Sequence, residues 1–155
     1  DAGLIYKGYH SDAARTHRVG KVSPEAEKLI AVTKQSFFEG IKKARAGNHL
    51  YDISNAIDAY VTSYGYGIVR ALVGHGIGTK LHEEPQIPNF AQRRKGVRLQ
   101  PGMTLAIEPM INMGTAEVVW LDDWTVVTED GAYSAHYENT ILITDGEPEI
   151  LTLPL

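Results

Sequence analysis

Cysteine is absent from the 155-residue sequence. No disulfide framework, thiolate metal ligand or cysteine nucleophile is therefore available, and a cytoplasmic setting is the expected one. Long apolar runs are missing too: none approaches the roughly 18 residues of a membrane span, and no signal-peptide pattern occurs. Positive charge is in deficit, with 15 Lys and Arg against 19 Asp and Glu. That balance leaves no basic footprint for nucleic acid, and the nearest cluster, Arg93-Arg94-Lys95, reads as a solvated loop. Membrane and nucleic-acid partners are thus not expected. An initiating methionine is also lacking. The chain opens on Asp1-Ala2-Gly3-Leu4 with strand-like sequence at once, which reads as a fragment, a truncation or a processed product.

What is present is ordinary in bulk: 43% hydrophobic and 22% charged residues, in a chain long enough for one domain with a sizeable core. No repeat, low-complexity tract or linker divides it, so residues 1–155 are expected to form a single domain. Residues 3–6 and 9–19 read as a β-hairpin turning at Lys7-Gly8. Ser23-Pro24-Glu25 has the form of a helix start, and Leu29, Ile30, Phe37, Phe38 and Ile41 continue it to Gly47 at helical spacing. A second helix is expected from Asp52 to Tyr64, with Ile53, Ile57, Tyr60, Val61 and Tyr64 on its apolar face. Beyond it the period shortens, and β-like runs occupy 67–72, 103–111, 117–121, 124–128 and 134–144. The expected class is α+β, a mainly antiparallel curved sheet with two helices packed on one face.

Chemistry-bearing residues recur along this frame. With a two-residue turn at Lys7-Gly8, Asp1 lies opposite Ala14 and Asp12 is its diagonal neighbour. Both carboxylates then point to one side, about 7 Å apart at the backbone. Two like charges so held favour a cation between them, although acids on an exposed hairpin face are common without one. Gly74-His75-Gly76-Ile77-Gly78 surrounds an imidazole with residues that leave it unobstructed, and a Gly-rich turn with a bystander His fits equally well. Glu108 and Glu138 sit in apolar strand-like runs, where carboxylates are rare unless paired or bound to a metal. Ala106 and Thr104 share the face of Glu108 and offer it no solvated stripe. Together, Asp1, Asp12, His75, Glu108 and Glu138 make an oxygen-rich set suited to two divalent ions and to metal-assisted hydrolysis of an acyl bond.

In order and spacing, the hairpin acids, Gly74-His75-Gly76-Ile77-Gly78, His82-Glu83-Glu84-Pro85, Ala106-Ile107-Glu108-Pro109-Met110 and Ala135-His136-Tyr137-Glu138 resemble the type I methionine aminopeptidases. The resemblance spans essentially all 155 residues. It implies the pita-bread fold, two similar α/β halves closing over a dinuclear site, here represented by the C-terminal, ligand-bearing part. It also implies two divalent ions (Mn, Fe, Co or Zn) held by Asp1, Asp12, His75, Glu108 and Glu138, with Asp12 and Glu138 bridging. By the same resemblance, Glu108 accepts a proton from the attacking water and His82 holds substrate and tetrahedral intermediate. Trp124 falls where the family places a pocket-lining tryptophan, with core packing as its equal alternative. The substrate implied is the N-terminal methionine of peptides and nascent proteins.

Several positions depart from that pattern. The family's N-terminal half, which supplies part of the sheet, most of the methionine pocket and a further histidine, is absent. Asp1 then stands beside an α-ammonium that competes for its carboxylate, and reduced activity is expected. An exposed sheet edge is expected to drive self-association or pairing with the missing half. Asn139 stands where many relatives carry His, and Leu81 replaces an aromatic residue before His82 at the substrate entrance. His136 shares a strand face with Glu138, so either the cleft or the surface can claim it, whereas His10, His17 and His49 read as hairpin and loop residues. Two other readings stay open: an Xaa-Pro aminopeptidase or prolidase on the same fold, and a non-catalytic peptide-binding module. Relatives of the prolidase kind usually place Gly after the Glu-Pro pair, where this chain has Met110.

Overall fold

The computed structural model describes residues 1–153. It opens with a hairpin of β1 (Ala2–Tyr6) and β2 (Tyr9–Ala13). Lys7 and Gly8 both have positive φ, 51° and 84°, the backbone of a tight two-residue turn that matches strand twist. Gly3 therefore faces Asp12, and Ala2 faces Ala13. The second strand stops at Ala13 instead of running to residue 19, because the chain leaves the hairpin there. Arg15 instead bridges to Tyr137, far along the sequence.

Helix α1 (Pro24–Ile41) begins as the sequence reading has it, with the Ser23 side chain accepting from the Ala26 amide at 3.2 Å. It ends six residues before Gly47: Lys43 and Ala44 donate only three residues back, to the Gly40 and Ile41 carbonyls, and so tighten the last turn. Helix α2 (Leu50–Thr62) starts two residues before Asp52. Asp52 occupies the third helical position, where its carboxylate accepts the His49 amide at 2.9 Å. Tyr64 consequently falls beyond the helix and is exposed, its ring beside those of Tyr60 and Tyr66.

Ten short strands follow the hairpin and helices. They are β3 (Gly67–Ile68), β4 (Gly74–Gly76), β5 (Glu83–Ile87), β6 (Thr104–Ile107), β7 (Met110–Asn112), β8 (Val118–Trp120), β9 (Val126–Thr128), β10 (Ser134–His136), β11 (Asn139–Leu142) and β12 (Glu149–Ile150). One sheet has the order β12-β11-β6-β4-β5 and another β10-β7-β3, while β8 and β9 form a separate hairpin. All described pairings are antiparallel. Strands β4 and β5 fall where the sequence reading has a glycine-rich loop, because Gly-His-Gly lacks any alternation to reveal it. Trp124, read as the start of a strand, lies in the β8–β9 turn instead.

The β6–β7 run crosses from the five-stranded to the three-stranded sheet, and its neighbour, the β10–β11 run, crosses back. Glu108 sits at the corner of one and Glu138 at the corner of the other. Beneath them lies a single apolar cluster that includes Leu29 and Phe37 of α1, Ile53 and Ile57 of α2, and Leu105, Ile107, Ile111 and Ile141 of the sheets. The Phe37 and Tyr137 rings meet at 5.4 Å between centroids. The core thus clamps the sheet crossing that presents the two glutamates. Among the described residues, no helix is long and apolar enough to cross a membrane.

Candidate metal centre

Each acidic or imidazole group reaches the centre from a different element. Asp12 comes from the inner face of β2, His75 from the middle of β4, and Glu108 and Glu138 from the two sheet corners. The two glycines beside His75 are required by space. A Cβ at Gly74 would lie 2.4 Å from the Ala106 carbonyl oxygen, and one at Gly76 would lie 2.2 Å from that of Glu84. His75 is thereby wedged between β5 and β6 with its ring facing the crossing.

Ligand atoms of Asp12, His75 and Glu138 lie within 4.8 Å of one another, and all three residues are buried. Glu108 closes the group, its Oε1 3.5 Å from His75 Nε2, while Asp12 Oδ2 is 3.9 Å from the same nitrogen. His75 Nδ1 is 2.9 Å from the Gly76 carbonyl, which can only accept, so Nδ1 carries the proton. Nε2 then turns a lone pair toward two carboxylates. Neither oxygen of Glu138 has a hydrogen-bond partner, although the residue is only 1% exposed. Acceptors converge here with no donor between them, which is the arrangement a divalent cation satisfies.

The electrostatics agree. Burial, and then the charges of Glu138 and Asp12, push the Glu108 carboxyl up to about 9. Burial and Asp12 raise Glu138 to about 8, against opposing pulls from the α-ammonium of Asp1 and from Arg15. Burial lowers His75, with the Gly76 carbonyl working the other way, so the imidazole is held in the neutral, ligating form. His136 is lowered to about 4 by burial and then by the α-ammonium. Its Nε2 has no hydrogen-bond partner and stands 3.7 Å from Glu108 Oε2. Of its two alternatives, His136 therefore takes the cleft.

The remaining site residues fall into place unevenly. His82 is exposed, and its ring meets that of His75 edge-on at 4.4 Å between centroids. Both rings line an open depression with Val73, Gly74, Lys80 and Gln86. Leu81, half-buried, lies near the hairpin: its Cδ1 is 3.8 Å from where a Cβ on Gly3 would stand. Asp1 is exposed at the start of the hairpin, one step beyond the Ala2–Ala13 pair, near enough for its α-ammonium to act on Glu138 and His136. Trp124 is 91% exposed, so the core-packing alternative fails, and it is not among the residues lining that depression. Thr16 and Thr140, which tie β2 to the Glu138 corner, drew no notice in the sequence because threonine is unremarkable in a strand.

Comparison with known proteins fits this centre. The sequence pattern of metallopeptidase family M24 matches residues 1–145. A methionine aminopeptidase of Clostridium perfringens is 58% identical over 154 residues, 99% of this chain and 62% of that protein. Methionine aminopeptidase 1 of Bacillus subtilis is 49% identical, covering 98% of this chain and 62% of the relative. Among solved structures, the methionine aminopeptidase of Thermotoga maritima superposes with a TM-score of 0.94 at 46% identity, over 98% of this chain and 61% of its own. These matches bear out the pita-bread fold. The chain spans about three fifths of the length of the curated relatives it matches. With the family pattern matched over 145 residues, this fold, and a buried set of carboxylates and imidazole suited to a cation, the chain belongs to metallopeptidase family M24.

Proposed function

We propose that residues 1–155 form, as one domain, the metal-holding part of an enzyme that removes N-terminal methionine from peptides and nascent proteins in the cytoplasm. The observation that carries this reading is the convergence of Asp12, His75 and Glu138 with both Glu138 oxygens unpartnered. Asp1, Asp12, His75, Glu108 and Glu138 would hold two divalent ions (Mn, Fe, Co or Zn). Such ions supply the charge that makes water a competent nucleophile at neutral pH and polarises the scissile carbonyl.

The chain's own side chains divide the rest of the work. Glu108, kept ionised by the cations beside it, would accept a proton from the attacking water and return it to the leaving amine. His82, at the open rim beside His75, would donate to the carbonyl oxygen as negative charge develops there. Leu81 and Trp124 would contact substrate at the entrance. The alternative, an Xaa-Pro peptidase, is the weaker reading. The prolidase of Pyrococcus furiosus shares the fold at 23% identity and a TM-score of 0.75, well below the values for the methionine aminopeptidases.

Metal titration of the purified chain by calorimetry tests the reading. Two equivalents of Mn²⁺ are expected, with binding weakened in Glu108→Ala and lost in Glu138→Gln. Binding that is absent in the parent, or indifferent to both substitutions, would sink it. Cleavage of Met-Ala peptides in preference to Xaa-Pro peptides then separates the two enzyme readings.

A further inference from the structure

The hairpin that carries Asp12 belongs to neither large sheet. Its attachment to the rest of the molecule decides whether Asp12 faces Glu138. Besides one backbone bond, from the His10 amide to the Gly78 carbonyl at 2.7 Å, that attachment is a short antiparallel seam between residues 12–16 and 136–140. Its middle is backbone: the Glu138 amide donates to the Ala14 carbonyl at 2.9 Å, and Arg15 bridges to Tyr137. At the Asp12 end a threonine hydroxyl replaces the ladder, and at the other end one supplements it, since the Thr16 amide also donates to the His136 carbonyl at 3.1 Å. Thr140 Oγ1 accepts from the Asp12 amide at 3.0 Å and donates to the Asp12 carbonyl at 2.9 Å. Thr16 Oγ1 accepts from the His136 amide at 2.8 Å and donates to the His136 carbonyl at 3.0 Å. One hydroxyl, being both donor and acceptor, satisfies both main-chain groups of the residue opposite.

The pairs Asp12–Thr140, Ala14–Glu138 and Thr16–His136 keep one register, each stepping two residues along both segments. A slip by one residue would turn the Asp12 carboxylate to the other face. The Arg15 guanidinium reinforces the middle, donating to the Ala14 carbonyl at 2.7 Å and to Asn139 Oδ1 at 2.6 Å, as well as to the Glu138 carbonyl. It also lies over the Tyr137 ring, 4.2 Å from its centroid.

We propose that Thr140 and Thr16 are positioning residues of the metal centre, a pair of hydroxyl clamps that set the register between Asp12 and Glu138. This rests on the reading of those carboxylates as ligands. Thr140 is buried and touches the main chain of Asp12, so it acts through Asp12 and has no contact of its own with substrate or reacting atoms. Valine keeps the shape of threonine but can make neither bond, whereas serine keeps the hydroxyl.

The test is Mn²⁺ titration by calorimetry of the parent chain and of Thr140→Val, Thr140→Ser, Thr16→Val and Thr33→Val, with thermal midpoints measured alongside. Thr33 is a buried helix threonine whose hydroxyl bonds the Leu29 carbonyl, remote from the seam in the chain. Thr140→Val is expected to weaken binding about 10-fold or more, the usual cost of losing a group that orients a ligand. Thr140→Ser should stay close to the parent, and Thr16→Val should also weaken binding. Thr33→Val should lower the thermal midpoint while leaving Kd alone. A folded Thr140→Val that binds like the parent overturns the proposal. Should Thr140→Val not fold, an unchanged Kd in Thr16→Val overturns it instead. No binding by the parent removes the metal reading and this one together, whereas parental binding with indifferent valine variants removes this one alone.

Discussion

At the scale of single residues, the centre is defined by groups held in the charge state they would not choose in water. Glu108 and Glu138 keep their protons to about pH 9 and 8 in the metal-free fold, against 4.5 when unfolded. Folded pKa values that are raised mean stability is fullest at low pH and lost as pH rises through them. His75 and His136 work the other way, since both resist protonation in the fold and cost stability below their ordinary 6.5. The opposing effects offset one another below pH 6.5, and only the carboxyls act above it. The metal-free chain is therefore expected to show a lower urea midpoint at pH 8 than at pH 6.5, with Glu108→Gln flattening the decline. A midpoint that rises over that interval in the parent contradicts the assignment. Adding Mn²⁺ should reverse the slope, because the ion needs the ionised carboxylates that high pH supplies.

Much of this was readable from residues alone. Acids in apolar runs at 108 and 138, and a histidine among glycines at 75, stand out because burial of such groups demands a partner. What the sequence could not disclose was direction. Nothing in Ala135-His136-Tyr137-Glu138 says that the His136 ring turns to Glu108, since that depends on the corner between the two sheets. Trp124 shows the converse: a large aromatic side chain suggests a pocket or a core, and a turn that leaves it 91% exposed removes only the core.

At the scale of elements, β4 is the least legible and the most constrained. Its glycines have no pattern to betray a strand, yet they let β4 fit between β5 and β6 where no Cβ has room. Gly76→Ala would press a methyl group against the Glu84 carbonyl and must shift one strand. We expect a loss of about 1–3 kcal/mol, the range for forcing an extra methyl into a packed site, and weaker metal binding as His75 moves. Denaturant unfolding checks the first part, and an unaltered midpoint would show that β5 yields freely. Both helices, by contrast, were placed to within a few residues by apolar spacing and by Ser23-Pro24. Their ends moved because Asp52 caps α2 from inside its first turn, which a carboxylate near a helix start does not reveal unaided.

For the molecule as a whole, the hairpin is the exposed flank. Leu4, Ile5, Tyr6 and Tyr9 are each 59–67% exposed, and β1 pairs with β2 alone. A free strand edge lined with large apolar side chains favours pairing with another chain. Sedimentation velocity is expected to show a coefficient that climbs with concentration, and Ile5→Lys with Tyr9→Lys should suppress the climb. A constant monomer across the range would count against the hairpin as a sticky edge. The seam that anchors this same hairpin joins positions 128 residues apart in the chain, Asp12 to Thr140. Proteins are made from the amino end, so Asp12, His75 and Glu108 are all added before Glu138 and Thr140. A chain still being made thus carries those earlier groups with no fixed geometry between them. The centre is complete only once residue 140 has been added and the seam has closed, so an ion held there would follow the folding of the hairpin instead of guiding it.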